Sequence, residues 1–294
     1  AALKDFVRPF DLKGGELIRA CLYEGGEGKI LALDAHHIVF DGSTLSILLK
    51  EIDRVYEGNE LYEEKTSAFD LSVWEESLKT TEKYAEACAW YDSRFEGIEP
   101  ENDFPADYPD TGNATQRAVE SVLTPDRESM LKFLRENSVT ENSLLLAAFA
   151  YVLAKFNGTD RSLVCVGESG RHTSMTWNTA GMLVKTIALP VDLSAAVDTA
   201  GFVAGLQETF RDSVANDLCS FGDLAAKYGL TNDFGFVYQN DSFSALELRG
   251  ERYPVNGLAV PDAMSKLYLM AFRRGDNYRL SFRYRGDLYE EEVI

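Results

Sequence analysis

Three observations in the sequence predict an α/β fold in two lobes, each a mainly antiparallel or mixed sheet with helices. Strand-like alternation and helix-like periodicity interleave along the whole chain. The 294 residues, 45% of them hydrophobic, suffice for one large core or two packed lobes. The stretch "EGIEPENDFPADYPDTGN" is rich in proline and acid and lacks apolar periodicity, as expected of a connection between lobes. It divides an amino-terminal lobe, 1–105, from a carboxy-terminal lobe, 106–294.

The elements follow in order. "KILALDAHHI" alternates as a strand, with Leu31, Leu33, Ala35 and His37 on one face and Ile30, Ala32, Asp34 and His36 on the other. "STLSILLKEIDRVYEG" has helical spacing, with Ser43 or Thr44 near the N-cap, a stripe of Leu45, Leu48, Leu49, Ile52, Val55 and Tyr56, and Gly58 as stop signal. One or two further helices are expected between Ala68 and Phe95. Beyond the divide, "RAVESVLT" is a strand, and "TPDRESMLKFLREN" and "TENSLLLAAFAYVLAKFNG" are helices, the second apolar enough to be buried. "RSLVCVGES" is a strand ending in the polar loop "GESGRHTS". The strand "MLVKTIALPVDL", a helix over 199–216, and the strands "DFGFVYQ", "KLYLMAF" and "YRLSFRYRG" complete the list.

Composition removes several function classes. A net charge of -19 opposes nucleic acid and anionic membrane, because a phosphate-binding surface must be basic. It says little about protein partners, since screening acts over about 8 Å at physiological salt. No apolar run reaches membrane-spanning length and "AALKDFVRPFDL" has no signal-peptide pattern, so a cytoplasmic parent is expected. Cys21, Cys88, Cys165 and Cys219 stand singly, as reduced packing residues rather than a zinc or redox motif.

"DAHHIVFDGST" holds two of the three histidines. It fits a catalytic loop, a metal site, or a structural strand-to-helix turn with two satisfied histidines. Alternation would point His36 and His37 to opposite faces, which argues against joint chelation, and no metal is expected. An imidazole with an ordinary pKa near ~6.5 beside a helix N-terminus could exchange a proton at cellular pH. Asp41 and Gly42 suit the turn, glycine permitting a tight or positive-φ backbone and aspartate bonding the turn or pairing with a buried arginine. No rival nucleophile is evident: "GESG" lacks the spacing of a G-x-S-x-G elbow, and there is no glycine-rich phosphate loop or H-E-x-x-H. His172, after Arg171, fits an incidental surface residue.

"HHIVFDG" resembles the H-H-x-x-x-D-G signature of condensation domains of nonribosomal peptide synthetases, members of the chloramphenicol acetyltransferase-like acyltransferases. "RPFDLKGGELIRACLYE" resembles the P-F-D-L segment with its R-A-x-L. "FDLSVWEES" is similar to D-Y-A-x-W through Asp70 and Trp74, and "EACAWYDSRFEG" to Y-W-x-x-x-L-x-G. "TENSLLLAAFAYVLAKFNGTDRSLVCVGESGR" is similar to the helix, strand and Gly-Arg loop of the second lobe, "GMLVKTIALPV" to G-x-F-V-N-T-L and "FGFVYQN" to F-N-Y-Q-N. The sequence departs at Lys185, where asparagine is usual, and at Asn216 and Ser220, where H-Q-D-x-P-F has histidine and proline. Because it begins at the P-F-D-L segment and stops at "GDLYEEEVI", the resemblance implies a fragment of a larger synthetase.

The resemblance implies two chloramphenicol acetyltransferase-like lobes with the active site at their interface. It implies amide formation by direct attack of a carrier-bound acceptor amine on a carrier-bound donor thioester, without an acyl-enzyme. By position His37 would be catalytic, accepting the proton or orienting the amine, whose pKa near ~8 leaves it partly neutral. His36 would support it, Asp41 would pair with Arg171, and Gly42 would let backbone N–H groups approach the oxyanion. Gln239 and Asn240, and more weakly Ser43, would line the substrate tunnel. No cofactor would bind directly, since the substrates arrive on phosphopantetheine arms. The partners would be upstream and downstream peptidyl carrier domains and an adenylation domain. Two other functions remain: an acyl-CoA-dependent O-acyltransferase using a similar H-x-x-x-D, and a non-catalytic docking domain of the same fold. Epimerisation domains share the signature, but their distinguishing motifs are not seen; heterocyclisation domains replace its histidines with aspartates.

Overall fold

The computed structural model describes residues 5–26, 28–96, 104–194, 196–239, 245–257 and 265–294. By contacts the chain forms two units: Ala1–Ser72 with Arg171–Val184 and Ala245–Val255, and a larger one of Val73–Gly170, Lys185–Ser244 and Asn256–Ile294.

In the smaller unit, β1 (Ile18–Gly25) and β2 (Gly28–Ala35) form an antiparallel ladder pairing Ile18 with Ala35 and Leu22 with Leu31. β2 stops at Ala35. His36 then caps a 3-10 turn, His37–Val39, so the strand does not run through the histidines as alternation suggested. The reason is local: the His36 Nδ1 accepts a hydrogen bond from the Ile38 N–H at 3.1 Å, which closes the turn.

Helix α1 (Gly42–Tyr56) follows. Asp41 is its N-cap, not Ser43 or Thr44, because its carboxylate accepts from the Thr44 N–H. Of the expected apolar stripe, Leu49 is buried, but Val55 and Tyr56 are each 55% exposed, and the Arg249 guanidinium lies 5.0 Å from the Tyr56 ring centroid. Arg249 joins the hairpin strands β7 (Ala245–Leu248) and β8 (Glu251–Pro254). Helix α2 (Ala68–Leu78) runs from the smaller unit into the larger one, and its start is set by Ser67 and Asp70, which bond each other's main-chain N–H.

The larger unit holds a six-stranded mixed sheet in the order β3-β10-β9-β6-β4-β5. These are Gln116–Leu123, Asn277–Arg285, Leu267–Arg274, Phe234–Gln239, Arg161–Glu168 and Lys185–Asp192. β6 pairs in parallel with β4 and β9, and the remaining pairs are antiparallel. Alternation sorts the side chains to two faces. Val164, Val166, Ile187 and Leu189 meet Leu146, Ala150 and Leu153 of α5 (Glu141–Phe156) and Val203 and Leu206 of α6 (Thr199–Ala215). Leu163 and Ala188 meet Tyr91 and Phe95 of α3 (Glu82–Phe95) and Leu224 of α7 (Phe221–Tyr228). Helix α4 (Arg127–Asn137) contributes Leu134 to the first cluster.

The observed division differs from the 1–105 and 106–294 lobes expected. Residues 73–96 go with the large unit because Tyr91 and Phe95 belong to its core. Part of the proline-rich stretch lies outside the described residues. The rest is no free connector: Phe104 is buried in the main core, the N–H groups of Asp107 and Tyr108 donate to the Leu288 carbonyl, and Asp110 pairs with Arg285.

Gly235 on β6 stands opposite Tyr268 on β9, and a Cβ there would lie 2.2 Å from the Tyr268 ring. Gly235→Ala is therefore expected to destabilise the sheet by about 1–3 kcal/mol through overpacking, read as a lower urea midpoint at unchanged slope.

Candidate active site

The described signature residues lie in the smaller unit, in the turn between β2 and α1 and in the segment Arg171–Val184. Asp41 is at its centre, with its side chain fully buried. One carboxylate oxygen, Oδ1, accepts from the Thr44 N–H at 2.8 Å and lies 2.9 Å from the Thr44 hydroxyl. The other, Oδ2, accepts from Arg171 Nη1 at 2.8 Å and from the N–H groups of Leu183 and Val184 at 2.9 and 3.2 Å. Burial alone would push this carboxyl up, but the hydrogen bonds from Arg171, Thr44 and Leu183 outweigh it and hold the group below the usual carboxylate range.

Arg171 is equally committed. Its side chain is 6% exposed, and its remaining N–H groups reach the carbonyls of Thr179 and Gly181 and the Thr44 hydroxyl at 3.0–3.2 Å. The Thr44 hydroxyl also meets both the carbonyl (2.8 Å) and the N–H (2.9 Å) of Gly181. Gly181 sits at φ 149°, and a Cβ on it would lie 2.4 Å from the Ala68 Cβ, so the close approach requires glycine. Thr179 extends the latch by donating its hydroxyl to the Thr66 carbonyl.

Around this buried latch the histidines differ. His36 is half-buried, packs edge-to-face on Phe10 with ring centroids 5.9 Å apart, and spends Nδ1 on the turn, which places its neutral-form proton on Nε2. His37 is exposed, and its imidazole makes no hydrogen bond among the described residues. Gly42 is the first residue of α1, exposed and not at positive φ, so the turn does not use the conformational freedom expected of it. Ser43, second in α1, is half-buried. The N–H groups of Gly42 and Ser43 are among those that a helix start leaves without an intrahelical acceptor, and they bond no other group among the described residues.

Gln239 is in the larger unit. Gln239 ends β6 opposite Phe272, and Asn240 lies outside the described residues. The departures from the family pattern have local explanations. Lys185 opens β5 and pairs with Glu75 of α2 at 2.7 Å and with Asp217 at 3.1 Å. Burial would lower its pKa, but these two carboxylates raise it above the ordinary lysine value. Asn216 caps α6, its amide donating to the Asp212 carbonyl, and Ser220 starts α7 through a capping box with Asp223. Sequence reasoning missed Thr44 as a junction, together with Thr179, Gly181 and the main chain of Leu183 and Val184. Only Thr44 carried a signal, three residues after a good N-cap.

The family model for the Condensation domain matches residues 1–294. Bacitracin synthase 2 of Bacillus licheniformis is 27% identical over 98% of this chain, which spans 12% of that protein. The first condensation domain of the calcium-dependent antibiotic synthetase, solved with a substrate analogue, superposes with a TM-score of 0.74 at 19% identity, over 99% of this chain and 67% of that one. A four-domain nonribosomal peptide synthetase bound to AMP and glycine gives 0.79 at 16% identity, over 99% of this chain and 24% of that one. With the H-H-x-x-x-D-G aspartate held in one buried ion pair and a family match over the full sequence, the chain belongs to the condensation-domain family.

Proposed function

We propose that the chain joins a carrier-bound acceptor amine to a carrier-bound donor acyl thioester, with His37 as the residue that handles the proton. The observation that carries this is the division of labour in the signature. Both Asp41 oxygens are consumed by Arg171, Thr44, Leu183 and Val184, which leaves His37 as the exposed titratable side chain of the turn. The acceptor nitrogen attacks the thioester carbonyl, a C–N bond forms, and the C–S bond breaks as the phosphopantetheine thiolate departs. His37 takes the ammonium proton that develops on nitrogen and passes it to solvent or the leaving sulfur, or holds the amine in line. The N–H groups of Gly42 and Ser43 are donors for the developing oxyanion.

On this reading no cofactor binds the chain itself. Its partners are an upstream and a downstream peptidyl carrier domain with a neighbouring adenylation domain, and the setting is the cytoplasm. Among the described residues no single helix is long and apolar enough to cross a membrane. Gln239 is the described member of the pair assigned to the substrate tunnel.

The test is product chemistry. The synthetase containing this chain, with donor and acceptor carriers loaded, is expected to yield a dipeptidyl thioester on the acceptor carrier by mass spectrometry. Transfer from acyl-CoA to a free alcohol, with none between carriers, would support the O-acyltransferase instead. No transfer from either donor would support the docking domain.

A further inference from the structure

We infer that Lys185, through its ammonium pairs with Glu75 and Asp217, is a positioning residue for the proposed amide-forming reaction, fixing the root of the loop that holds Asp41. This role rests on the function proposed above and on chain geometry. Strand β4 ends at Glu168 and β5 begins at Lys185, and these two residues are paired partners in the sheet. The connection between them carries the partners of Asp41 and Thr44 in the latch: Arg171, the carbonyls of Thr179 and Gly181, and the two N–H groups that bind Asp41. Lys185 is thus the residue after the last main-chain donor to the buried carboxylate.

At that point the backbone passes from the β4–β5 ladder to the two N–H groups bound by Asp41. The Lys185 side chain supplies the hold. Its Nζ lies 2.7 Å from Glu75 Oε1 and 3.1 Å from Asp217 Oδ2, with the lysine 25% and Asp217 18% exposed. A partly buried, doubly paired ammonium is less screened than a surface pair and fixes a direction as well as a distance. Glu75 belongs to α2, the helix whose first residue, Ala68, abuts Gly181 of the same loop. The lysine therefore ties the loop's exit to the helix on which the loop's middle rests. Asparagine, which stands at this place in the family pattern the sequence resembles, is too short to span both carboxylates.

A small displacement of Leu183 and Val184 would shift Asp41 and, through the Asp41 cap, the start of α1 and the turn bearing His37. Misplacement of a reacting group on that scale costs about tenfold or more in rate. In the intact synthetase, Lys185→Met is expected to slow single-turnover amide formation about tenfold. The acceptor-carrier concentration for half-saturation and the melting temperature should stay unchanged, and amide exchange over residues 181–184 should accelerate. Lys185→Arg, which spans the same carboxylates, should restore both rate and protection. Glu75→Ala, at a side chain 41% exposed, removes the acceptor that ties Lys185 to α2 and should reproduce the slower rate even if Lys185→Met fails to fold. His37→Ala in parallel separates the two ideas. If His37→Ala is slow while Lys185→Met and Glu75→Ala keep the wild-type rate and protection, the positioning role is overturned and the proposed function stands. If His37→Ala keeps the wild-type rate, the catalytic reading itself fails.

Discussion

Asp41→Ala is expected to destabilise the smaller unit by about 3–5 kcal/mol, the cost of leaving a buried arginine without its carboxylate. The size follows from what the residue does at once. It neutralises Arg171, caps α1 through the Thr44 N–H, and satisfies the N–H groups of Leu183 and Val184. Asp41→Asn does not repair the loss, because every group facing both carboxylate oxygens except the Thr44 hydroxyl is a fixed donor, and an amide presents a donor to one of the two sites. Hydrogen exchange of residues 42–56 should collapse toward the unprotected limit in both variants while the six-stranded sheet keeps its protection. The pH dependence has a definite sign. The Asp41 carboxyl is held below its ordinary range in the folded chain, so its contribution is full above the unfolded value near ~3.9 and is lost as the pH falls through the lower folded value. Loss of activity in an Asp41 variant is then a loss of the latch, not evidence of acid–base chemistry by this carboxylate.

His37→Ala should do the opposite: leave the fold intact and remove the chemistry. The imidazole is exposed and makes no hydrogen bond among the described residues, so its truncation creates neither cavity nor orphaned donor. If it accepts the amine's proton, turnover should fall at least tenfold, toward the ~10²–10⁴ range typical of general bases. If it chiefly orients the amine, the loss should sit near the low end and persist at a pH where the amine is already neutral. Single-turnover rates against pH distinguish the two, and an unchanged melting temperature shows that the comparison is between folded proteins.

The order of the main strands and helices was legible because long periodic segments such as Glu141–Phe156 and Lys185–Asp192 carry their own signal. Short elements were not: α7 has eight residues and β7 and β8 four each, and their state is decided by packing. The alternation of "KILALDAHHI" ran three residues too far because nothing in periodicity marks where a side chain such as His36 turns back onto the main chain. Asp41 was read as the partner of Arg171 and is also the N-cap, its two oxygens taking one duty each. The bonds between Thr44 and Gly181 join residues 137 apart and could not be read from either sequence neighbourhood. By contacts residues 73–96 fall with the larger unit, because the aromatic pair Tyr91 and Phe95 enters its core, a placement that is purely tertiary and has no sign in the proline-rich stretch.

In the proposed reaction transfer at the His37 turn is direct, with no acyl group ever bonded to this chain. Its most direct test is a rapid-quench time course on the synthetase with donor and acceptor carriers loaded, following by mass the acceptor carrier and the peptides of this chain together. With direct transfer the dipeptidyl thioester appears on the acceptor carrier while every peptide from this chain keeps its unmodified mass. An acyl adduct on any residue here that forms and decays at the rate of product formation would contradict it.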